Sequence, residues 1–466
     1  MRLSASPSRP PLWFWIGLGC VWVFALAFRF WQLERFNALV FDEVYFANFG
    51  YKYTTQTQFF DAHPPLGKYL IALGIALKGF NTWGFRWVNA LVGATLPLIL
   101  SGIAYQLCKR PSYALVAAAL ASLDGLLLVE SRYALLNVHI LFFGLLAHWL
   151  VLVALNHKGY QRNLWLGFAG ASFGATIAVK WNGLGFLLGL YLLWFAAKVG
   201  QAWFGTQKTQ QRRLPIQRLS ELSWLQIGVY LPAIALLIYS LLWIPHLVLN
   251  PEFNFWQVHT EIFSYHRYRV GGAEVHPYCS AWYTWPLLLK PISYFYQLTQ
   301  STVESLPVIG PPLPQNAANW IYSVYATGNP ILWWASTLAI FWVLAWGGQQ
   351  LWQSCTRRRS EYSFTHLSAE QVWISGYVGV NYLANFLPWV GVSRCTFLYH
   401  YMPASMFSSL ALAWFIEDWL QSSDRRLQGL AGGLLLFSLL SFMVCLPLFL
   451  GLPLSPRQWQ LLTGRF

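Results

Sequence analysis

The sequence predicts an all-α, polytopic membrane protein. Three observations carry that prediction. Hydrophobic residues make up 56% of the 466 positions and charged residues only 10%, where a soluble domain carries roughly a quarter charged. Apolar runs recur at the length of about 20 residues that a spanning helix needs, and mean hydropathy is +0.43. The 27 Trp, 24 Tyr and 33 Phe suit helix packing and the two membrane interfaces.

Eleven spans are predicted, at 12–30, 87–107, 113–130, 138–156, 164–180, 183–198, 224–245, 331–350, 371–390, 397–416 and 429–450. The first follows MRLSASPSRPP and has no small-x-small cleavage site before Phe28-Arg29, so it reads as a retained signal anchor. Lys180-Trp181-Asn182-Gly183 breaks the 164–198 stretch and reads as a tight turn at one membrane face. The whole chain, 1–466, reads as a single transmembrane domain with three long connections: 31–86, 199–223 and 246–330. The last is too long for a simple turn. Its 286–300 and 317–326 stretches are expected to form helices lying in the interface.

Lys and Arg set the direction. Placing the N-terminus in the cytoplasm puts 16 of the 30 cations inside, among them Arg2, Arg9, Lys208, Arg212, Arg213 and Arg357–Arg359, as the positive-inside rule expects. The formal charge of +14 is therefore topological and not a nucleic-acid signature. The C-terminus, after an odd number of spans, falls outside, together with 31–86 and 246–330. The 199–223 loop is cytoplasmic. The expected location is the plasma (inner) membrane.

The six Cys, at 20, 108, 279, 355, 395 and 445, show no CxxC or His-Cys spacing, so no zinc or redox motif is visible. Cys279 and Cys395 fall on the same side, but a disulfide between them is not expected. No ligand spacing specifies a metal, and no metal or other cofactor is predicted.

With only 16 acids in the chain, the adjacent pair Asp42-Glu43 in FDEVYFANF stands out, because a carboxylate at a membrane costs stability unless it is solvated, paired or used. One of the two could be a general base on a hydroxyl. The competing reading is a helix cap near Val44. Four external cations from separated segments, Lys68, Arg132, Lys180 and Arg394, could form a phosphate clamp; singly, each could be an interfacial anchor. His63, His276 and His400 share that face, where a lone His more often satisfies local hydrogen bonds. A base plus a cationic clamp suggests sugar transfer from a lipid phosphate. The leaving phosphate monoester has a second pKa near 6 and needs no general acid, unlike the leaving group of an inverting hydrolase.

FDEVYFANF…FDAHPPLGK, VESRYALLN (129–137), AVKWNGLG (178–185), HPYCSAWYTWPL (276–287), ATGNPILWW (326–334) and SRCTFLYHYMPA (393–404) occur in that order. Together they resemble the protein O-mannosyltransferase family, of the GT-C type, in its compact bacterial form without a MIR domain. The resemblance implies a GT-C fold and an inverting transfer of mannose from polyprenyl or dolichyl phosphate to Ser/Thr hydroxyls of exported proteins. It implies Asp42 and Glu43 as catalytic residues, with Asp42 the base, and Arg132, Lys180 and Arg394 at the donor phosphate. His63, Lys68, Asn137, His276 and His400 support the site. Asn137 stands where family members often have Asp, which weakens the acceptor contact expected there. Two other readings compete: a GT-C transferase that modifies a lipid or other acceptor with a different sugar, and a transporter, which would call for broken spans and paired repeats.

Overall fold

Helices stand at all eleven predicted spans in the computed structural model, which describes residues 10–204, 215–272, 274–314, 317–356 and 368–464. Seven of them are long and apolar enough to cross a membrane, and one bent pair makes an eighth. The helices at 164–180, 371–390 and 397–416 fall outside that set. The last of these can be less apolar because neighbouring helices cover it: Ser405, Ser408, Ser409 and Glu417 are all buried in the helix after 401. Arg2, Arg9, Lys208, Arg212, Arg213 and Arg357–Arg359, on which the orientation leaned, lie outside the described residues.

In chain order, α1 (Leu12–Phe30) leads to the short helices α2 (Glu43–Thr54) and α3 (Leu66–Lys78), then α4 (Thr82–Cys108). Asn81 caps α4 by accepting from the Gly84 amide at 2.8 Å. Pro111 opens the next helix at its first turn, where a missing N–H costs nothing. The third predicted span is broken: α5 (Pro111–Ser122) and α6 (Gly125–Arg132) meet at 60°. Asp124 makes the break, capping α6 through the Leu127 amide at 2.9 Å. Its other oxygen accepts from Trp333 Nε1 at 2.8 Å.

The antiparallel hairpin α7 (Asn137–Ala154) and α8 (Gly159–Val179) continues through a 3₁₀ turn at Trp181–Gly183 into α9 (Leu184–Phe204), the tight turn that was predicted. After α10 (Pro215–Ser220) comes α11 (Leu231–Leu249), which packs on α8 where Gly170 and Gly174 admit its backbone. A Cβ on Gly174 would lie 2.4 Å from Ala235 O.

The 246–330 connection departs from expectation. It opens with α12 (Phe255–Ser264), but its later stretches are strands: β1 (Ile292–Thr299) and β2 (Trp320–Ala326). They pair antiparallel, Ile292 opposite Ala326 and Thr299 opposite Trp320, with a bulge between Ser293 and Phe295. ISYFYQLT and WIYSVYA are dense in β-branched and aromatic residues, which suit a pleated surface better than a helix. Helices α13 (Pro330–Thr356), α14 (Ala369–Phe386), α15 (Met402–Leu420) and α16 (Arg425–Leu450) follow. The two-residue β3 (Pro453–Leu454) then joins β2, and α17 (Pro456–Thr463) ends the described chain.

The connections at one end of the bundle are tied to each other. His266 Nε2 lies 2.8 Å from Ala62 O, and the Phe59 amide donates to Asn250 Oδ1 at 2.7 Å. Contrary to expectation, Cys279 and Cys395 form a disulfide across 116 residues. Sequence spacing gave no hint of it because the partners belong to loops that only the fold brings together. Beside it, the Ser280 amide donates to Thr396 O and the Thr396 hydroxyl donates to Ser280 O, each at 2.7 Å. Closing so long a loop is worth about 2–4 kcal/mol. Cys279→Ser/Cys395→Ser is therefore expected to lower the thermal unfolding midpoint in detergent; an unchanged midpoint would show that the loops hold without the bond.

Candidate active site

The first connection is held by one buried ion pair. Glu43, in the first turn of α2, and Arg86, on α4, are both fully buried. Glu43 Oε1 accepts from Arg86 Nε and the Ala134 amide, both at 2.8 Å. Its Oε2 accepts from Arg86 Nη2 at 2.7 Å and the Val40 amide at 2.9 Å. The remaining guanidinium N–H groups reach the carbonyls of Leu33, Phe36 and Ala38 at 2.8–3.1 Å. All five guanidinium donors have acceptors. Glu43, expected among the catalytic residues, is thus a structural anion with both oxygens occupied.

Asp42 is left in the opposite condition. It occupies the N-cap position of α2, yet its side chain makes no capping hydrogen bond. Among the described residues its carboxylate has no hydrogen-bond or ion-pair partner. Burial lifts its pKa to about 6; the charge of Lys180 opposes that rise and Asp61 adds to it. The preceding residue, Phe41, has φ +51°, a left-handed backbone that is costly for a bulky side chain. Its ring is held by Tyr294, stacked at 4.3 Å, with Phe397 and Tyr399 edge-on beyond.

Next to this carboxylate opens a cavity of about 580 Å³ whose polar wall includes His63, Lys180, His266, Arg267, Arg394 and His400. Asp42 is not in the lining but lies within electrostatic reach of Lys180. Lys180 ends α8, where the chain turns into α9, and donates from Nζ to Asn137 Oδ1 at 3.1 Å. Asn137 Nδ2 donates in turn to Glu130 Oε2 at 3.0 Å. Arg394 reaches back to Cys395 O at 3.0 Å through one nitrogen, leaving its other donors unassigned. Burial, with the nearby cations, holds His63 well below the usual histidine pKa, so it is a neutral hydrogen-bonding group, and His400 Nδ1 receives the Phe397 amide at 3.0 Å. A second cavity of about 540 Å³ between α9 and α14 shares Trp181, Asn182, Trp389 and Val392 with the first. Its remaining lining is mostly apolar, including Leu184, Leu187, Leu188 and Pro388.

Other expected members are elsewhere. Arg132 does not line the cavity: its guanidinium is buried on the end of α1, donating to the carbonyls of Phe28, Arg29, Trp31 and Gln32 at 2.7–3.2 Å. Lys68 is buried against Asp61 and donates to His63 O at 2.7 Å, fixing the turn that presents His63. His276 accepts from the Tyr278 amide at 3.2 Å and packs on Phe397. His266 and Arg267 were missed, although the basic YHRYR cluster at 265–269 was a local signal for them. Among the described residues no group of three or more His, Cys, Asp or Glu could hold a metal ion.

Similarity to known proteins runs along most of the chain. A profile of the dolichyl-phosphate-mannose-protein mannosyltransferases matches residues 19–82 and 78–250. One of the C-terminal four-TMM region of protein-O-mannosyltransferase matches 252–463. The polyprenol-phosphate-mannose–protein mannosyltransferase of Mycobacterium tuberculosis is 25% identical over 96% of this chain and 90% of its own. Protein O-mannosyl-transferase 2 of Drosophila melanogaster is 31% identical over 39% of this chain and 27% of its own. Among solved structures, the Saccharomyces cerevisiae Pmt1-Pmt2 complex bound to the sugar donor superposes with a TM-score of 0.78 at 14% identity, over 98% of this chain and 92% of that one. ArnT from Cupriavidus metallidurans bound to undecaprenyl phosphate gives 0.54 at 13%, over 95% and 77%. At these identities the two structures speak to the fold.

The ion pair and the arginine make separable predictions. Glu43→Gln leaves Arg86 buried without its anion, a loss of about 3–5 kcal/mol, and is expected to lower the yield of folded protein on size-exclusion in detergent. Arg132→Ala is expected to lower the unfolding midpoint while leaving affinity for a lipid phosphate unchanged.

Proposed function

The chain belongs to the protein O-mannosyltransferase family, and on that premise we propose a catalytic arrangement for its transfer of mannose from a polyprenyl phosphate to protein. The proposed base is Asp42, the acceptor a Ser or Thr hydroxyl. The observation that carries this reading is a half-buried carboxylate without a side-chain hydrogen-bond partner among the described residues, within electrostatic reach of Lys180, which lines a cavity together with Arg394.

In this scheme the donor phosphate lies against Lys180 and Arg394, which meet its charge in a setting of low dielectric. Lys180 is held by a neutral amide, so its charge is not cancelled by direct contact with a carboxylate and two of its N–H groups remain for phosphate oxygens. The isoprenoid chain runs along the apolar cavity between α9 and α14. The acceptor oxygen attacks the anomeric carbon from the face opposite the phosphate. As the new C–O bond forms, the bond to the phosphate oxygen breaks, the hydroxyl proton passes to Asp42, and polyprenyl phosphate leaves with the bonding pair. The configuration inverts. The scheme routes no step through a metal or cofactor.

The site is placed on the external face of the plasma (inner) membrane, with the N-terminus in the cytoplasm. The Cys279–Cys395 disulfide supports that side, since such bonds persist in oxidising compartments.

Asp42→Asn is expected to abolish transfer from labelled polyprenyl-phosphate mannose to a Ser/Thr-rich peptide while still binding the donor; full activity would remove Asp42 as base. Transfer by the parent to lipid instead of peptide would replace the acceptor class. Because Asp42 acts deprotonated in this scheme and its pKa in the free protein is raised to about 6, kcat/KM should rise with pH through about 6 and level off above. The same raised pKa makes native Asp42 costly to ionise, so its stabilising contribution is present below the unfolded pKa and lost as pH climbs through 6. Asp42→Asn should therefore be no less stable than the parent at pH 7, as thermal unfolding can check.

A further inference from the structure

Tyr294 is linked through neighbours to both halves of the proposed chemistry, yet the chemistry assigns it no part. It lies buried on β1, in the sheet of the long connection. Its ring stacks face to face on Phe41 at 4.3 Å and 10°, against the left-handed residue that precedes Asp42. Its hydroxyl donates to Glu130 Oε1. Glu130 Oε2 accepts from Asn137 Nδ2 at 3.0 Å, and Asn137 Oδ1 accepts from Lys180 Nζ at 3.1 Å.

The order of donors along this chain leaves one self-consistent arrangement. A carboxylate with both oxygens accepting turns the NH₂ of Asn137 towards Glu130, so the amide oxygen must face Lys180. Lys180 is a flexible side chain on its own; bonded to an amide locked at its far end, it has a fixed position. Asp42 and Lys180 reside on different elements, α2 and the end of α8, and in-line displacement needs base and leaving group on opposite sides of one carbon. A misplacement of about 1 Å can cost on the order of 100-fold in rate.

We infer that Tyr294 is a positioning residue that sets the base and the phosphate-binding lysine relative to each other, its ring acting through Phe41 and its hydroxyl through Glu130 and Asn137. The inference rests on the reading of Lys180 as a donor-phosphate group. A tyrosine that only filled space would tolerate loss of its oxygen. Tyr294→Phe keeps the ring and the stack and removes the hydroxyl arm alone; Tyr294→Leu removes both arms.

The test uses the full chain in detergent, with sugar-free polyprenyl phosphate as the binding probe and labelled polyprenyl-phosphate mannose for kinetics. Lys180→Ala is expected to weaken binding of the probe more than tenfold, and Tyr294→Phe by about five- to tenfold. The double variant should bind no more weakly than Lys180→Ala alone. Tyr294→Phe should keep the acid limb of kcat/KM near pH 6, whereas Tyr294→Leu should lose a further tenfold in kcat at saturating donor. Phe41→Leu, the other face of the stack, gives the same kcat readout if Tyr294→Leu does not fold. If Lys180→Ala binds as the parent does, the phosphate role falls and this inference with it. If Lys180→Ala weakens binding while Tyr294→Phe does not, or if the two losses add, only the inference is overturned. Equal kcat in the Phe and Leu variants overturns the ring arm.

Discussion

The buried Glu43–Arg86 pair is the constraint on which the site depends. A carboxylate and a guanidinium removed from water would each carry a desolvation cost of several kcal/mol. The fold offsets it by giving every donor and acceptor of the pair a partner: three loop carbonyls, two backbone amides and each other. Those backbone partners span residues 33–40 and 134, so one pair fixes the loop after α1, the start of α2, α4 and the segment after α6. Asp42 inherits its place from this. Its carboxylate has no hydrogen bond among the described residues, while its carbonyl accepts from the Tyr45 and Phe46 amides at 3.0 Å and its backbone lies between a strained Phe41 and an immobilised Glu43.

The two neighbouring acids show how the same residue type is divided by environment. Glu43 is surrounded by donors and serves the structure. Asp42, one residue earlier, has burial without donors, which leaves a carboxylate whose proton affinity lies near neutral pH. A general base works best with its pKa close to the operating pH, and in the proposed scheme desolvation supplies that rise at Asp42. The cations divide the same way. Arg132 and Lys68 face carbonyls or an acid within the protein, whereas Lys180 and Arg394 face the cavity.

The spans and the lysine turn were legible because they follow from local apolar runs and turn residues that stand together in sequence. Four cations that look alike in the chain could not be sorted that way. Arg132 meets its carbonyl partners 100–104 residues away, and Glu43 meets Arg86 43 residues away, distances over which spacing says nothing. The helices expected in the long connection became strands because each stretch finds its partner in the other, and a hairpin's pairing is a tertiary event. Tyr294 was invisible for a related reason: in sequence it is one aromatic among several in ISYFYQLT, and only the folded hairpin, where it stands at the bulge between Ser293 and Phe295, brings it to Phe41 and Glu130.

The disulfide also imposes an order in time. Asp42 and Lys180 belong to the early part of the chain, and Cys279 follows them, but its partner Cys395 emerges only after nine of the eleven helical regions have been made. A chain still being inserted would hold Asp42 and Lys180 well before the loop bearing Arg394 could be bolted against the long connection. The cavity-lining segments 270–272 and 391–394 are tied covalently only once Cys395 has been made, so a partly translated molecule carries the acid and the lysine without that tie.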